Sequence, residues 1–240
     1  MRQASPESHD PPPATEVEAG RFTRSDLERG PREILSQGRW ANAVLYRFEH
    51  GGVAWVVKDF RPRARAVRLL IGRFLVHREF RALKRVAGIP ATPQGVFRVD
   101  ADALAYRFVP GRSLRGTRDV VFGPDFFPAL ERGLAAMHAQ AGVAHFDLRN
   151  AKNILMTDTG DPLLLDFQSA VSTGWMPGPL RRFAERVDLA AIYKHWKKRS
   201  PATMGEDRLA ALARMNRIRP LWALRGYIGA PRAPGRKRGP

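Results

Sequence analysis

The spacing of apolar residues changes character once along the chain. After Pro31, short apolar or alternating runs bounded by turn-forming residues predict β-strands. We expect five strands, with a tight turn at His50-Gly51-Gly52 between the second and third, over residues 32–37, 43–49, 53–60, 96–99 and 104–108. Between the third and fourth strands, apolar residues recur every three to four positions over residues 64–87, which predicts one long basic helix.

Beyond Pro110-Gly111 the pattern becomes mostly helical. Helices are expected near residues 125–140, 185–198, 206–214 and 219–227, and two short strands, at 154–156 and 163–165, flank the turn DTGD. This order predicts an α+β fold with two lobes and a cleft between them. The expected division is a disordered tail (1–28), a five-stranded N-lobe (29–109), a short, mostly helical C-lobe (110–229) and a basic disordered tail (230–240).

Composition limits the classes of protein that the chain can represent. An apolar content of 44% over 240 residues supports a sizeable core. The absence of cysteine excludes disulfides, thiolate zinc sites and cysteine nucleophiles, and it fits a reducing compartment. Because no apolar run approaches the ~20 residues of a spanning helix and the first residues lack a signal-peptide pattern, we expect a cytoplasmic protein, with peripheral attachment to the inner membrane left open.

The net charge of +18 is concentrated in two places. Residues 58–85 contain ten Lys/Arg against two acids, and residues 181–240 contain sixteen against four. Such segments favour polyanions, so segments 61–85 and 181–240 are candidate contacts for an anionic membrane surface or a phosphorylated glycan, with nucleic acid less favoured. Solvated helix faces in an arginine-rich chain are the alternative interpretation.

Three polar residues form the strongest chemical signal. Asp147 lies in a loop (HFDLRNAKN), Asn153 directly precedes an apolar strand, and Asp166 ends the next strand. Phosphoryl transfer from ATP needs one group to orient the acceptor hydroxyl and two groups to hold magnesium on the phosphates. Single residues of these types usually occupy turns or caps, but their combination around two strands indicates an ATP-dependent kinase.

A cation and an acid in the first half of the chain extend this signal. Lys58 ends the apolar run WVVK, where its ammonium could reach ATP phosphates. Glu79, on the long helix, is the only acid between Asp59 and Asp100. We therefore expect Glu79 to hold Lys58 extended.

In their order and spacing these residues resemble the protein-kinase-like superfamily over about residues 32–200. Within it, the chain is most similar to small bacterial lipopolysaccharide-core (Kdo and heptose) kinases and to RIO-like kinases. This finer resemblance rests on the basic stretch before Glu79, on Gly88-Ile89-Pro90, on Gln168 after Asp166-Phe167, and on a C-lobe that ends soon after Asp188.

The resemblance implies roles for the residues around the acceptor and the metal. Asp147 would orient and deprotonate the acceptor hydroxyl, and Arg149 would stabilise charge on the transferred phosphoryl group. Asn153 and Asp166 would ligate Mg²⁺. Beneath the loop, His145 would pack in a structural role.

The resemblance also implies an ATP site between the lobes. Lys58, braced by Glu79, would hold the α- and β-phosphates, and Gly38 would allow a close backbone approach to them. In the hinge, the Arg107 carbonyl and the Val109 amide would face adenine. Asp188 would brace the catalytic loop from below, although a helix N-cap is an equally good interpretation of its position.

Three features depart from the superfamily pattern. Asn153 lies six residues after Asp147 rather than five, and Lys152 stands at the usual position; we prefer Asn153 over Asn150 as the ligand because a strand follows it directly. Gln168 replaces the glycine after Asp-Phe. The segment 36–43 contains the single glycine Gly38 where three are usual.

The acceptor is predicted from the size of the C-lobe. Only about 22 residues separate Asp166 from Asp188, and no Ala-Pro-Glu-like anchor for a peptide is present. This favours a lipopolysaccharide core sugar or similar anionic glycolipid at the cytoplasmic membrane face. The alternatives are a RIO-like protein serine/threonine kinase and a non-catalytic pseudokinase that binds polyanions. Apolar residues within 61–85 fit either a membrane-surface helix or the core face of the helix.

Overall fold

The computed structural model describes residues 20–38, 42–117 and 120–223, with side chains described through residue 217. Its helices are α1 (Arg24–Arg29), α2 (Arg73–Arg85), α3 (Phe126–Ala136), α4 (Gly178–Arg199) and α5 (Glu206–Ala223). Its strands are β1 (Arg32–Ser36), β2 (Val44–His50), β3 (Val53–Asp59), β4 (Phe97–Arg98), β5 (Ala103–Arg107), β6 (Gly111–Ser113), β7 (Val143–Ala144), β8 (Ile154–Thr157), β9 (Pro162–Leu164) and β10 (Val171–Ser172).

The five predicted N-lobe strands are confirmed and form one antiparallel sheet in the order β1-β2-β3-β5-β4. Gly51 and Gly52, between β2 and β3, both have positive φ (57° and 76°), the conformation of the two-residue hairpin turn that matches strand twist. The register places Lys58 of β3 opposite Leu45 of β2 and Leu104 of β5. Lys58 therefore lies in the centre of the sheet.

Both faces of the central part of this sheet are buried, whereas the edge strand β1 is exposed. Successive residues of a strand point to opposite faces, so Trp55 and Val57 of β3 enter one apolar cluster while Val56 enters the other. The second cluster, which includes Val56, continues through Val76 and Leu83 of α2 into the helical half of the molecule. Because Lys58 shares the face of Val56, its side chain points towards α2.

The outer face of the sheet is covered by residues 20–29, which the sequence analysis assigned mostly to a disordered tail. That prediction was wrong for residues 20–28, because Phe22 and Leu27 are buried against the sheet. Thr23 and Asp26 form a reciprocal capping box at the start of α1. A Thr-x-x-Asp pattern before an apolar residue is the sequence signal that could have revealed this helix. Residues 1–19 lie outside the described part of the chain.

Arg24 fastens α1 to the sheet. Its guanidinium donates to both carboxylate oxygens of Asp59 at 2.6 and 3.1 Å and to Asp100 at 2.7 Å. Asp59 is almost fully buried, and Asp100 lies in the turn between β4 and β5. Burial alone would raise the pKa of Asp100, but its hydrogen bond from Arg24 leaves that pKa below the ordinary value.

Arg24→Ala is expected to lower the free energy of unfolding by about 2–3 kcal/mol, because hydrogen bonds to charged groups contribute about 1.5–3 kcal/mol and Asp59 would remain buried without its partner. Denaturant unfolding followed by circular dichroism measures the change. Arg29→Ala is the control, since Arg29 is exposed and its bonds to described residues stay within α1, to Asp26 and to the Ser25 carbonyl; its effect should stay within about 0.5 kcal/mol. Equal losses in the two variants would contradict this role of Arg24.

The predicted long helix over 64–87 is confirmed, with one irregularity. A short helical segment, Arg65–Val67, leads through a π-helical turn, Arg68–Gly72, into α2. A side chain at position 72 would lie 2.8 Å from the ring of Phe60, so only glycine permits this approach of helix to sheet. The face of α2 that includes Val76, Glu79 and Leu83 is buried.

The second half of the chain is mostly helical, with two small sheets that position its loops. β6, β8 and β9 form a three-stranded antiparallel sheet, and β7 pairs with β10. Trp196 of α4 stacks on Phe127 of α3 at 5.4 Å between ring centroids. The expectation of separate helices at 206–214 and 219–227 was wrong through residue 223, because residues 215–217 contain no glycine or proline and α5 continues across them. Residues 224–227 and the predicted tail 230–240 lie outside the described chain.

In the part of the chain that the structure describes, no helix combines the length and apolar character that crossing a membrane requires.

Candidate active site

Lys58 connects the two halves of the molecule. Its ammonium Nζ lies 2.6 Å from Glu79 Oε1 and 2.9 Å from Asp166 Oδ1. Lys58 and Glu79 are almost completely buried, whereas the Asp166 carboxylate is 40% exposed. The structure thus brings together the predicted phosphate-binding cation, its brace and one predicted metal ligand.

The charges of these three residues depend on one another. Burial would lower the pKa of Lys58, but attraction by Glu79 and Asp166 outweighs it and holds that pKa above the ordinary value. Burial raises the pKa of Glu79, with Lys58 acting in the opposite direction. For Asp166, burial also acts upward, but Lys58 leaves the pKa below the ordinary value. Asp166 therefore presents a carboxylate, the form that binds Mg²⁺.

Asp147 and Asn153 meet across the lengthened loop. Asn153 Nδ2 donates to Asp147 Oδ2 at 2.8 Å and to the Asp147 carbonyl at 3.1 Å. Asn153 is buried, whereas Asn150 is exposed and caps the short 3₁₀ turn Ala151–Asn153. The extra residue of the loop is therefore accommodated in this turn, and the strand β8 fixes Asn153 as expected. Its role as a metal ligand stays a prediction.

The loop is held from below by Asp188. Its carboxylate accepts hydrogen bonds from the backbone amides of His145 at 2.6 Å and Phe146 at 2.8 Å, and lies 3.1 Å from His138 Nε2. Asp188 is buried in the interior of α4, so the brace interpretation is confirmed and the N-cap interpretation is wrong. His138 was missed by the sequence analysis, because its position in the turn after α3 carries no recognisable pattern.

His145 connects the loop to the strand that precedes Asp166. It is fully buried, its Nε2 lies 3.0 Å from the Leu165 carbonyl, and its ring lies 4.7 Å from that of Phe167. Burial lowers the pKa of His145, so the neutral ring is favoured. The predicted structural role of His145 is therefore confirmed.

Asp147 is the predicted general base. It is half-buried, and burial together with repulsion from Asp166 raises its pKa above the ordinary value although the Asn153 amide opposes this shift. A carboxylate with a raised pKa accepts a proton more readily than an ordinary aspartate. Phe146, directly before it, has φ +63°, a conformation that costs energy for a bulky residue. Backbone strain is thus located next to the predicted base.

The residues present fit a magnesium ion bound together with phosphates. The Leu165 amide donates to the Asn153 carbonyl at 2.8 Å, which places Asn153 beside Asp166. Asp166 follows the end of β9 and has φ +64°, so the backbone changes direction at this residue. One carboxylate and one amide oxygen are enough for Mg²⁺ when phosphates and water complete its shell. Among the described residues no cluster of three or more His, Cys, Asp or Glu could hold a metal ion.

The remaining predicted contact residues lie at the end of β5, in the connection that follows it and in the loop of Asp147. Arg107 ends β5, where its amide donates to the Gln94 carbonyl, and Val109 follows in the connection to β6. Arg149 is half-buried in the loop of Asp147. Tyr106, which the sequence analysis did not select, is buried next to Lys58 and Glu79, and burial raises its pKa to about 12. The roles of Arg107, Val109 and Arg149 stay predictions.

Gly38 lies in a loop that Arg63 holds through hydrogen bonds to backbone carbonyls. It has φ +61°, and a side chain there would collide with the Ala43 carbonyl and approach Arg63 Nη2 to 2.9 Å. Arg63 Nε donates to the Asn42 carbonyl at 2.7 Å, and its Nη2 bonds the Gln37 carbonyl. Arg63 thereby joins the two sides of the predicted phosphate loop. The sequence offered no signal for this contact, since it joins residues 21 and 26 positions apart.

Arg63→Ala is expected to raise the KM for ATP by about tenfold, because a loop that must be ordered on binding weakens affinity. Steady-state kinetics at saturating magnesium measures the change, and kcat should move less. Arg63→Lys can keep one of the two hydrogen bonds, so its KM for ATP should lie between the values of the wild type and of Arg63→Ala. Arg65→Ala, an exposed arginine on the next segment, is the control. An unchanged KM in Arg63→Ala would exclude this role.

Three features define a protein-kinase-like fold. They are the five-stranded sheet, the helix α2 whose Glu79 bonds Lys58 of β3, and the loop that carries Asp147. No protein-family model matches the chain, and no curated protein matches its sequence significantly. Among solved structures it is similar to the Rio2 kinase of Chaetomium thermophilum in complex with ADP, Mg²⁺ and phosphoaspartate. The TM-score is 0.52 at 19% identity, and the match covers 79% of this chain and 63% of the other.

At this identity the likeness concerns the fold alone, and the chain spans less than two thirds of the matched structure's length. The expected kinase-like architecture is confirmed. The finer similarity to lipopolysaccharide-core kinases stays a prediction.

Proposed function

We propose that the protein is an ATP-dependent phosphotransferase with Asp147 as its base. The observation that carries this proposal is the continuous set of contacts from Glu79 through Lys58 to Asp166, beside the Asn153 to Asp147 hydrogen bond. The proposal is supported by a cation (Lys58) and a carboxylate (Asp166) in contact with each other, and by a second carboxylate (Asp147) whose pKa is raised. Transfer of a phosphoryl group requires these three functions.

Each residue has a separable task in this proposal. Lys58 exchanges part of its contact with Asp166 for ATP phosphates, while Glu79 keeps its stem in place. Asp166 and Asn153 would hold Mg²⁺, which would neutralise charge on the phosphates; Asn153 Oδ1 accepts a hydrogen bond from the Asn150 amide in this structure. Asp147 orients an acceptor hydroxyl and receives its proton, and Arg149 supplies positive charge beside the transferred group.

We further propose an anionic glycolipid, such as a lipopolysaccharide core sugar, as the acceptor. The support is the short path between Asp166 and Asp188, which contains the 3₁₀ turn Phe167–Ser169, the two-residue strand β10 and the first half of α4. This path offers little surface for a peptide. A small or membrane-presented acceptor needs only access to Asp147.

The alternative is RIO-like protein phosphorylation, and the fold likeness to a Rio2 kinase favours it. That structure contains phosphoaspartate, so a phosphorylated carboxylate on this protein itself would belong to the same alternative. The third interpretation, a pseudokinase, is less favoured because the sequence retains Lys58, Glu79, Asp147, Asn153 and Asp166, although the segment 36–43 contains the single glycine Gly38.

The test is incubation of the full chain with γ-labelled ATP and Mg²⁺, with isolated lipopolysaccharide core, with basic proteins, and alone. Label on the glycan that is lost in Asp147→Ala supports the proposal. Label confined to protein supports the RIO-like alternative, and sensitivity of that label to hydroxylamine identifies an acyl phosphate. ATP binding without transfer in any arm would leave the pseudokinase interpretation.

A further inference from the structure

The face of α2 opposite Glu79 exposes large apolar side chains beside cations. Leu70, in the π-helical turn, is 78% exposed and Phe74, four residues later, is 61% exposed. Residues four apart lie on the same side of a helix. Further along the helix, the same face carries cations. We call this set of residues the outer stripe of α2: Leu70, Phe74, His77, Arg78, Arg81 and Arg85.

A groove of about 550 Å³ separates the outer stripe from the segment 170–175. Phe74, Arg81 and Arg85 line one wall, and Val171, Ser172 and Trp175 line the other. Trp175 is 72% exposed. Single exposed apolar residues are ordinary on protein surfaces, but here Phe74 and Trp175 line one groove, and the exposed Leu70 precedes Phe74 by about one helical turn.

The surroundings of the groove are mostly cationic, and among the described residues the acid near its second wall is Glu185, which lies 3.7 Å from Arg181. Between Asp59 and Asp100 the only acid is Glu79, which is buried against Lys58. The segment from Ala170 to Ala184 contains no acid and includes the exposed pair Arg181 and Arg182, next to Leu180 at 48% exposure. The apolar residues are therefore surrounded by positive charge on both walls.

We propose that the outer stripe and the segment 170–182 form a docking face for an anionic phospholipid bilayer. Membrane-surface helices combine Leu, Phe and Trp that enter the headgroup region with Arg and Lys that attract anionic lipids. Nucleic acid fits less well, because Leu70 cannot stack on a base. The charge of the face also opposes pairing with a second copy of itself.

Docking at this face would act on the helix that carries Glu79. Arg78 Nη2 donates to the carbonyls of Ser169 at 3.2 Å and Ala170 at 3.4 Å, and Arg85 bonds Ser172. The docking face therefore includes both partners of this contact, which are α2 and the segment that follows Asp166. A bilayer there would bring a lipid-borne acceptor near the cleft. The docking proposal itself does not depend on the proposed phosphotransfer.

The test is sedimentation of the full chain with phosphatidylcholine vesicles that contain or lack phosphatidylglycerol. We expect binding only with the anionic lipid, and a loss of affinity of about tenfold or more in Leu70→Ser/Phe74→Ser/Trp175→Ser and in Arg81→Glu. Ile34→Ser is the control, since Ile34 is 51% exposed and lies on the edge strand β1, outside the proposed docking face. Brominated lipids should quench tryptophan fluorescence of the wild type and of Ile34→Ser, and quench Trp175→Phe less.

The proposal is overturned by equal binding of all variants, by equal binding to neutral vesicles, or by quenching that Trp175→Phe leaves unchanged. Preferential binding of single-stranded RNA, weakened by the same substitutions while anionic vesicles are not bound, would assign the face to nucleic acid instead. A dimer in solution that the triple variant dissociates would assign it to a second copy. Phosphotransfer assays on soluble acceptors with the same variants report separately on the proposed function.

Discussion

Asp147→Ala is expected to leave ATP affinity near that of the wild type while turnover falls by a factor of about 10²–10⁴, the usual contribution of a positioned base. The reason is that Asp147 does not contact Lys58 or Glu79, so the phosphate clamp should stay intact while the acceptor loses its orientation. Calorimetric titration with ATP and Mg²⁺, beside a phosphate-transfer assay, separates the two effects.

Asp166→Ala should differ in kind, because Asp166 contacts Lys58 and is the predicted magnesium carboxylate. Magnesium-dependent ATP binding and turnover should both fall. Asp161→Ala, an exposed aspartate in the turn between β8 and β9, is the control and should change neither. Equal loss of ATP affinity in Asp147→Ala and Asp166→Ala would contradict the division of tasks.

The pH dependence of the reaction should report the same carboxylate. Burial raises the pKa of Asp147 above 3.8, so its proton-accepting form prevails only above that raised value. As the pH falls through it, kcat/KM should decrease, with the acidic limb at a higher pH than an ordinary aspartate would give.

Lys58→Ala is expected to lower magnesium-dependent ATP affinity severely and also to destabilise the fold. Removing one partner of a buried ion pair leaves an uncompensated charge and costs about 3–5 kcal/mol; here Glu79 would remain, almost fully buried, near Asp166. Thermal unfolding and calorimetric ATP titration measure the two effects. Lys58→Met/Glu79→Gln removes both charges, so it should recover part of the stability without recovering ATP binding.

Lys84→Ala is the matched control for this pair of experiments. Lys84 is an exposed lysine near the end of α2, so both its stability and its ATP affinity should match the wild type. If folded Lys58→Ala binds ATP as the wild type does, Lys58 is not part of the nucleotide site.

The N-terminal border shows where the sequence interpretation failed and why. Residues 20–28 have few apolar side chains and lie next to a proline-containing tail, so composition favoured disorder. Phe22 and Leu27 are nevertheless enough to cover the sheet, because Trp55, Val57 and Phe97 already present an apolar face that needs a partner. That need belongs to the assembled sheet and is invisible in the local sequence.

In the lengthened loop, by contrast, the sequence interpretation agrees with the structure about which asparagine is buried. The choice of Asn153 over Asn150 followed from the adjacent strand, and the structure buries Asn153 against Asp147 while Asn150 caps a turn. Local sequence sufficed for the burial of Asn153 because a strand start fixes the residue directly before it; the role of Asn153 as a metal ligand stays a prediction.

The sequence by itself determined the strands, the long helix and the placement of Lys58, Glu79, Asp147, Asn153 and Asp166, since periodicity and short-range turns specify these elements. Only the tertiary structure decided that Arg63 holds the loop of Gly38, that Asp188 braces the loop rather than capping its helix, and that Phe74 and Trp175 share a groove. These contacts join residues distant in sequence. They depend on how whole elements pack against one another, and no local pattern encodes that packing.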